Sequence, residues 1–295
     1  MSSMKMNRTM SVLLCAVLLS ACSDASASIK DKDTPIITVG DTAITKGQVY
    51  EKLLPSFGAP AVMQHITEVI CDNEVEVTDE MKKTAEDNLE YYKSILGPYF
   101  EEYMAEQGMD EETFLDQQIL MQQNDRLPSL YIEENYAELA EKYKPILGTI
   151  LSFETMENAN AAASALKDGS MNIEEAINAY GSTSTGESEL ITIDSRNYDA
   201  EAIAVLRAAE PDDGWVPVQS TSGTAYVLRV EEKDYEALKE QAMTDFANIS
   251  DVQSAAMKFF CSKYGFTVYD IDLISSIYSN YPYILNQNIP SSLTD

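Results

Sequence analysis

The sequence has 295 residues, 45% of them hydrophobic, with 49 acidic against 20 basic side chains and a net charge of −29. That length suits two modest domains or one large one. The charge excludes nucleic acid as a general partner, because the phosphate backbone would repel the chain, and it disfavours flat binding to anionic lipid.

In chain order, residues 1–21 have the three parts of a secretory signal: Lys5 and Arg8 at the start, an apolar run from Val12 to Leu19, and small residues before Cys22. The Leu-Ser-Ala-Cys ending resembles a bacterial lipoprotein lipobox. That resemblance implies a diacylglycerol on the sulfur of Cys22 and cleavage before it. The other readings are an ordinary secretory signal with a chance cysteine and an uncleaved anchor. The apolar run falls short of the roughly 20 residues that span a bilayer. Loss of the signal removes two basic residues and no acids, taking the net charge from −29 to −31.

Residues 22–35 are small, polar and charged and read as a flexible tether. Ile36 to Val39 follows as a short strand with Gly40-Asp41 as a turn. Thr45 and Gln48 match a capping box ahead of a helix with apolar residues at Val49, Tyr50, Leu53 and Leu54. From Met63 to Tyr143 the sequence predicts four or five helices. Thr78 and Asp110 are expected N-caps, and a break or kink is expected at Pro128.

Past Pro145 the texture changes. Residues 146–153 read as a strand, 155–168 as a helix ended by Gly169, 172–180 as a second helix and 200–209 as a third. Residues 215–218 and 225–230 read as a hairpin turning at Ser222-Gly223. A long helix is expected over 234–264, a closing strand over 266–273, and a loose tail over 273–295.

The lipobox, the VGDTAITKGQVYEKL stretch, GMDEETFLDQQI at 108–119, TMENANAAASALKDGSMNIEEAINAY and DGWVPVQSTSGTAYVLRV together resemble the PrsA-type extracytoplasmic foldase lipoproteins, which are related to the SurA chaperones. The resemblance implies an α+β protein. Residues 36–144 and 234–272 would form a mostly helical SurA/trigger-factor-like chaperone domain from both chain ends, and 145–233 an inserted parvulin-like domain. It further implies attachment to the outer face of the bacterial cell membrane through lipid, unfolded or partly folded secreted proteins as partners, and no cofactor or metal. A homodimer stays open.

The chemistry departs from that pattern. Parvulins usually open with a strand ending in His-Ile-Leu, which here reads Thr149-Ile150-Leu151, and Tyr226 falls near their second histidine. The chain's one histidine, His65, lies in the helical region and reads as a helix-surface or core residue. Thr149 and Tyr226 can hydrogen-bond but do not titrate near neutral pH. Prolyl isomerisation crosses a barrier of about 20 kcal/mol, so the expectation is a foldase that mainly holds its clients, with isomerase activity weak or lost. A non-histidine isomerase and a lipoprotein that binds one specific secretion or cell-wall partner are the alternatives. No CxxC, HExxH or GxSxG spacing is present. The acid clusters Asp72/Glu74/Glu76 and Glu231/Glu232/Asp234 read as solvated faces rather than Ca²⁺ sites. Cys71 and Cys261 are left after the signal and the acylated cysteine. They could pair outside the cytoplasm or stay as two buried thiols. Among the aromatic and methionine residues of the helical region, Tyr99, Tyr103, Met104 and Met121 are the client-binding candidates.

Overall fold

The computed structural model describes residues 29–287. The signal, Cys22 and the last eight residues lie outside them. The described chain is a mostly helical α+β protein, as expected, with two small antiparallel sheets. It divides into two units. One is Pro128–Gln253. The other joins the segments on either side, up to Leu127 and from Ser254.

In the two-ended unit, β1 (Pro35–Val39) pairs antiparallel with β2 (Thr42–Thr45), a strand missed in the sequence because it is only four residues long. Thr45 then caps α1 (Lys46–Leu53) in a capping box with Gln48. A π-helical turn, Leu54–Gly58, leads into α2 (Ala59–Glu74). Thr78 caps α3 (Asp79–Leu96), which is followed by α4 (Phe100–Glu106). The aspartate expected before the next helix accepts from the backbone of Thr113 at 2.9 Å. That helix, α5 (Glu111–Tyr143), runs through Pro128 without ending, so of the break or kink expected there the break does not occur. Proline removes one backbone donor, and the helix has many turns on each side to carry that loss. Leu89, Phe100, Met104 and Phe114 make a buried cluster in this unit.

The central unit holds β3 (Ile146–Phe153), α6 (Met156–Asp168), α7 (Ile173–Tyr180), β4 (Glu189–Ile191), α8 (Ala200–Ala208), β5 (Val216–Gln219), β6 (Ala225–Glu232) and α9 (Lys239–Ala247). Its sheet has the order β4-β3-β6-β5, all antiparallel. Strand alternation sends Ile150 and Leu228 to the face covered by Ala202, Ile203 and Leu206 of α8. Leu151, Phe153, Ala225 and Val227 go to the face covered by the alanines of α6 and α7. A third cluster joins Ile132, Tyr136, Leu139 and Tyr143 of α5 to Ala242 and Phe246 of α9.

Two expectations near the C-terminus are corrected. The helix over 234–264 is two helices, α9 and α10 (Ser250–Lys263), parted where the Asn248 and Ile249 amides turn back to the Asp245 and Phe246 carbonyls. The strand over 266–273 and the loose tail from 273 are replaced by extended chain and then α11 (Ile271–Asn280). Asp270 starts this helix by accepting from the amides of Asp272 and Leu273. Ile274, Ile277 and Ile284 are buried, and the Ser276 hydroxyl bridges the Ala59 amide and the Leu54 carbonyl.

Gly148 marks the tightest approach in the sheet. A Cβ there would stand 2.8 Å from the Arg229 carbonyl oxygen and 3.1 Å from a Leu206 methyl. Gly148→Ala is therefore expected to lower stability by about 1–3 kcal/mol. Urea unfolding of the full chain checks this, and a loss below about 0.5 kcal/mol would show that the strands separate freely there.

Candidate functional site

β3 and β6 place Thr149 and Tyr226 on neighbouring strands but not together. Thr149 pairs in register with Arg229, and Tyr226 pairs with Ser152. Thr149 and Ser152 are three positions apart, an odd offset, so the two side chains leave opposite faces of the sheet.

On the first face Thr149 is fully buried. Its hydroxyl donates to Glu231 at 2.9 Å and meets Ser188 at 3.2 Å. Ser188 and Arg229 each donate to the same carboxylate at 2.6 Å, and the Arg229 guanidinium lies 4.8 Å over the Trp215 ring. Burial pushes the Glu231 carboxyl up, but the bonds from Ser188, Arg229 and Thr149 outweigh it and hold the group below its ordinary value. On the second face the Tyr226 hydroxyl donates to Asp199 at 3.0 Å, and its ring meets Tyr198 edge-on. Burial and then the Asp199 bond raise the phenol. Both groups are satisfied, and they share no partner.

The helical unit offers a different kind of surface. Among the described residues, every exposed large apolar side chain except Ile193 belongs to it, including Ile37, Val39, Phe57, Val69, Tyr91 and Ile95. Of the client-binding candidates, Tyr99 and Met121 are open to solvent at 68% and 60%. Tyr103 is half-buried and stacked on Tyr92. Met104 corrects its expectation: at 3% exposure it is core, because its helix face turns toward Leu89 and Phe114. The sequence marks Ile36–Val39 as a short strand and Leu53 as part of a helix's apolar face, neither of which signals exposure. Phe57 carried a weak signal, an aromatic side chain set between Pro55 and Gly58 in a breaker-rich stretch.

The fold is similar to that of PrsA foldases. The foldase protein PrsA of Streptococcus pneumoniae is matched over 84% of this chain and 100% of its own, at 17% identity and a TM-score of 0.42. The peptidylprolyl isomerase PrsA of Bacillus cereus is matched over 85% and 99%, at 18% identity and 0.47. The foldase protein PrsA of Lactococcus lactis is matched over 84% and 99%, at 16% identity and 0.38. No protein-family model and no curated protein sequence matches. At these identities the likeness is one of fold alone.

The remaining sequence candidates resolve as follows. Cys71 and Cys261 are both buried and free, so the bridge considered from the sequence is not formed. Ile70 and Cys261 line one groove. A helix turns about 100° per residue, which carries Cys71 away from that side of α2. Burial, and for Cys71 also the neighbouring Asp72, pushes the thiols up to about 12 for Cys71 and about 11 for Cys261. His65 is on the surface, paired with Glu68 at 2.8 Å. Glu74 is held by Lys263 and Tyr264 rather than by its acidic neighbours. Among the described residues, no three His, Cys, Asp or Glu side chains converge at metal-holding spacing.

Two outcomes are expected. At pH 8 a thiol reagent should leave Cys71 and Cys261 unlabelled in the folded chain and label both after unfolding without reductant, read by peptide mass mapping. A linked pair of peptides would restore the bridge. For Glu231, the folded value lies below the unfolded one. Its ionised form therefore stabilises the fold above about pH 4.5, and that contribution is lost as pH falls through the lower folded value. Arg229→Met should flatten the fall of the unfolding midpoint as pH drops below about 4.5. An unchanged slope relative to the parent would remove Arg229 from that role.

Proposed function

We propose that this chain is a lipid-anchored extracytoplasmic chaperone that holds unfolded or partly folded secreted proteins at the outer face of the bacterial cell membrane. Cys22 would carry the lipid. Its prolyl isomerase activity would be weak or lost. The observation that carries the reading is that, among the described residues, exposed large apolar side chains, Ile193 excepted, are confined to the two-ended helical unit. Apolar side chains left in solvent and concentrated on one unit are surface available for interaction. Tyrosine, phenylalanine and methionine suit clients of many sequences, since these side chains repack and tolerate variety.

The loss of isomerase chemistry is supported by the sheet. Twisting a prolyl amide needs groups gathered under one peptide bond. Thr149 is committed to Glu231, and Tyr226 is committed to Asp199 on the other face. The anchor is supported by the signal layout and Leu-Ser-Ala-Cys. Among the described residues, no helix is long and apolar enough to cross a membrane.

The test measures light scattering from an aggregating unfolded client with and without the full chain, together with isomerisation of a proline-containing peptide. Suppressed scattering is expected, with isomerisation left at its uncatalysed rate of tens of seconds or slower. A triple variant, Phe57→Ser, Tyr99→Ser, Met121→Ser, should lose at least half of the suppression while its thermal unfolding stays close to the parent's. Clear isomerase catalysis abolished by Thr149→Ala would establish the enzyme reading. Suppression unchanged in the triple variant would remove the helical surface from client holding.

A further inference from the structure

The helical unit contains one apolar groove of about 310 Å³, walled by Val62, Ile66 and Val69 of α2 and by Cys261, Tyr264 and Phe266 at and beyond the end of α10. Val69 is 55% exposed and Tyr264 40%, so the groove opens to solvent. The volume lies at the lower end of the range for small-molecule pockets and accommodates one large side chain with part of its backbone.

Its rim is acidic. His65 lines the groove, and its ring is held by Glu68. Asp72 lies one helical turn beyond Glu68 on the same side of α2 and is exposed. On the other wall the Tyr264 hydroxyl donates to Glu74 at 2.6 Å. Lys263 also reaches Glu74 at 2.6 Å and offsets part of that charge. Among the described residues, the hydrogen-bond partners of Glu68 are His65 and Gln64, neither of them a lysine or arginine.

An apolar slot with carboxylates at its edge selects one kind of occupant. Resting on the chaperone reading above, we infer that this groove takes an extended segment of unfolded polypeptide, with a leucine, methionine or phenylalanine side chain in the slot and lysine or arginine beside it. An acidic segment would meet Glu68 and Asp72 unfavourably, and the net charge of −29 would slow its approach. A neutral apolar segment would gain the slot but not the rim.

The experiment titrates the full chain with three dye-labelled nine-residue peptides. All carry leucine at every third position, with lysine, serine or glutamate between, and binding is followed by fluorescence anisotropy. The order expected is lysine over serine over glutamate, with the lysine advantage shrinking as salt rises. Val69→Gln is a substitution at an exposed helix position and should weaken the lysine peptide about tenfold, the equivalent of one valine side chain returned to water. Glu68→Gln with Asp72→Asn should weaken the lysine peptide and leave the serine peptide unchanged.

Equal affinity for the lysine and glutamate peptides, or affinity unaltered by Val69→Gln, overturns the inference. So does a dimer that Val69→Gln disperses, which would make the groove an interface between two copies of this chain. Client holding is read on the same samples. Holding that persists while the peptide preference is absent removes this site alone. A peptide preference seated in the groove without any holding removes the chaperone reading instead.

Discussion

The ladder between β3 and β6 is the constraint on which the central unit depends. These two strands are interior in the sheet and buried on both faces, so alternate side chains of each must find cover on opposite sides. Helix α8 supplies one cover, and α6 with α7 the other. The alanines of α6 let that helix lie close to the sheet, and the approach at Gly148 leaves room for the strand partner and for Leu206 at once. A polar group in such a sheet has to be satisfied where it stands. Thr149 meets that condition through Glu231, Ser188 and Arg229, and Tyr226 meets it through Asp199. These networks make the sheet a finished object, with its polar atoms spent on internal bonds.

The two units therefore divide their surface chemistry. The central one keeps its large apolar side chains buried or half-buried, Ile193 excepted. The two-ended one leaves many of them in solvent, on a chain whose charge keeps it soluble. An exposed valine or tyrosine contributes little to folding and is free to contribute to binding.

Much of this was legible in the sequence because local signals agreed with one another. Thr45 with Gln48, Thr78 before two acids, Gly169 after an alanine face, and Ser222-Gly223 between β-branched runs each specify a cap or turn through a short-range bond. What could not be read depends on distant partners. β2 and β4 are too short to show a period, and they exist because β1 and β3 lie beside them. The helix α11 has little local signature, because its buried isoleucines are few and its partners lie more than 200 positions earlier. The pairing of faces that separates Thr149 from Tyr226 follows from strand register, which no motif encodes. Exposure of Val39 and Phe57 is likewise a property of what fails to cover them.

The bridge made by Ser276 has a consequence for the order of events in the chain's synthesis. Its hydroxyl satisfies a carbonyl at Leu54 and an amide at Ala59, on either side of the π-helical turn. Those backbone groups emerge first, and their partner emerges after more than two hundred further residues have been made. The central unit has all its strands from Ile146 to Glu232 available well before then. A chain delivered N-terminus first thus completes its middle before its ends, and the surface built from both ends closes only when the last helix arrives.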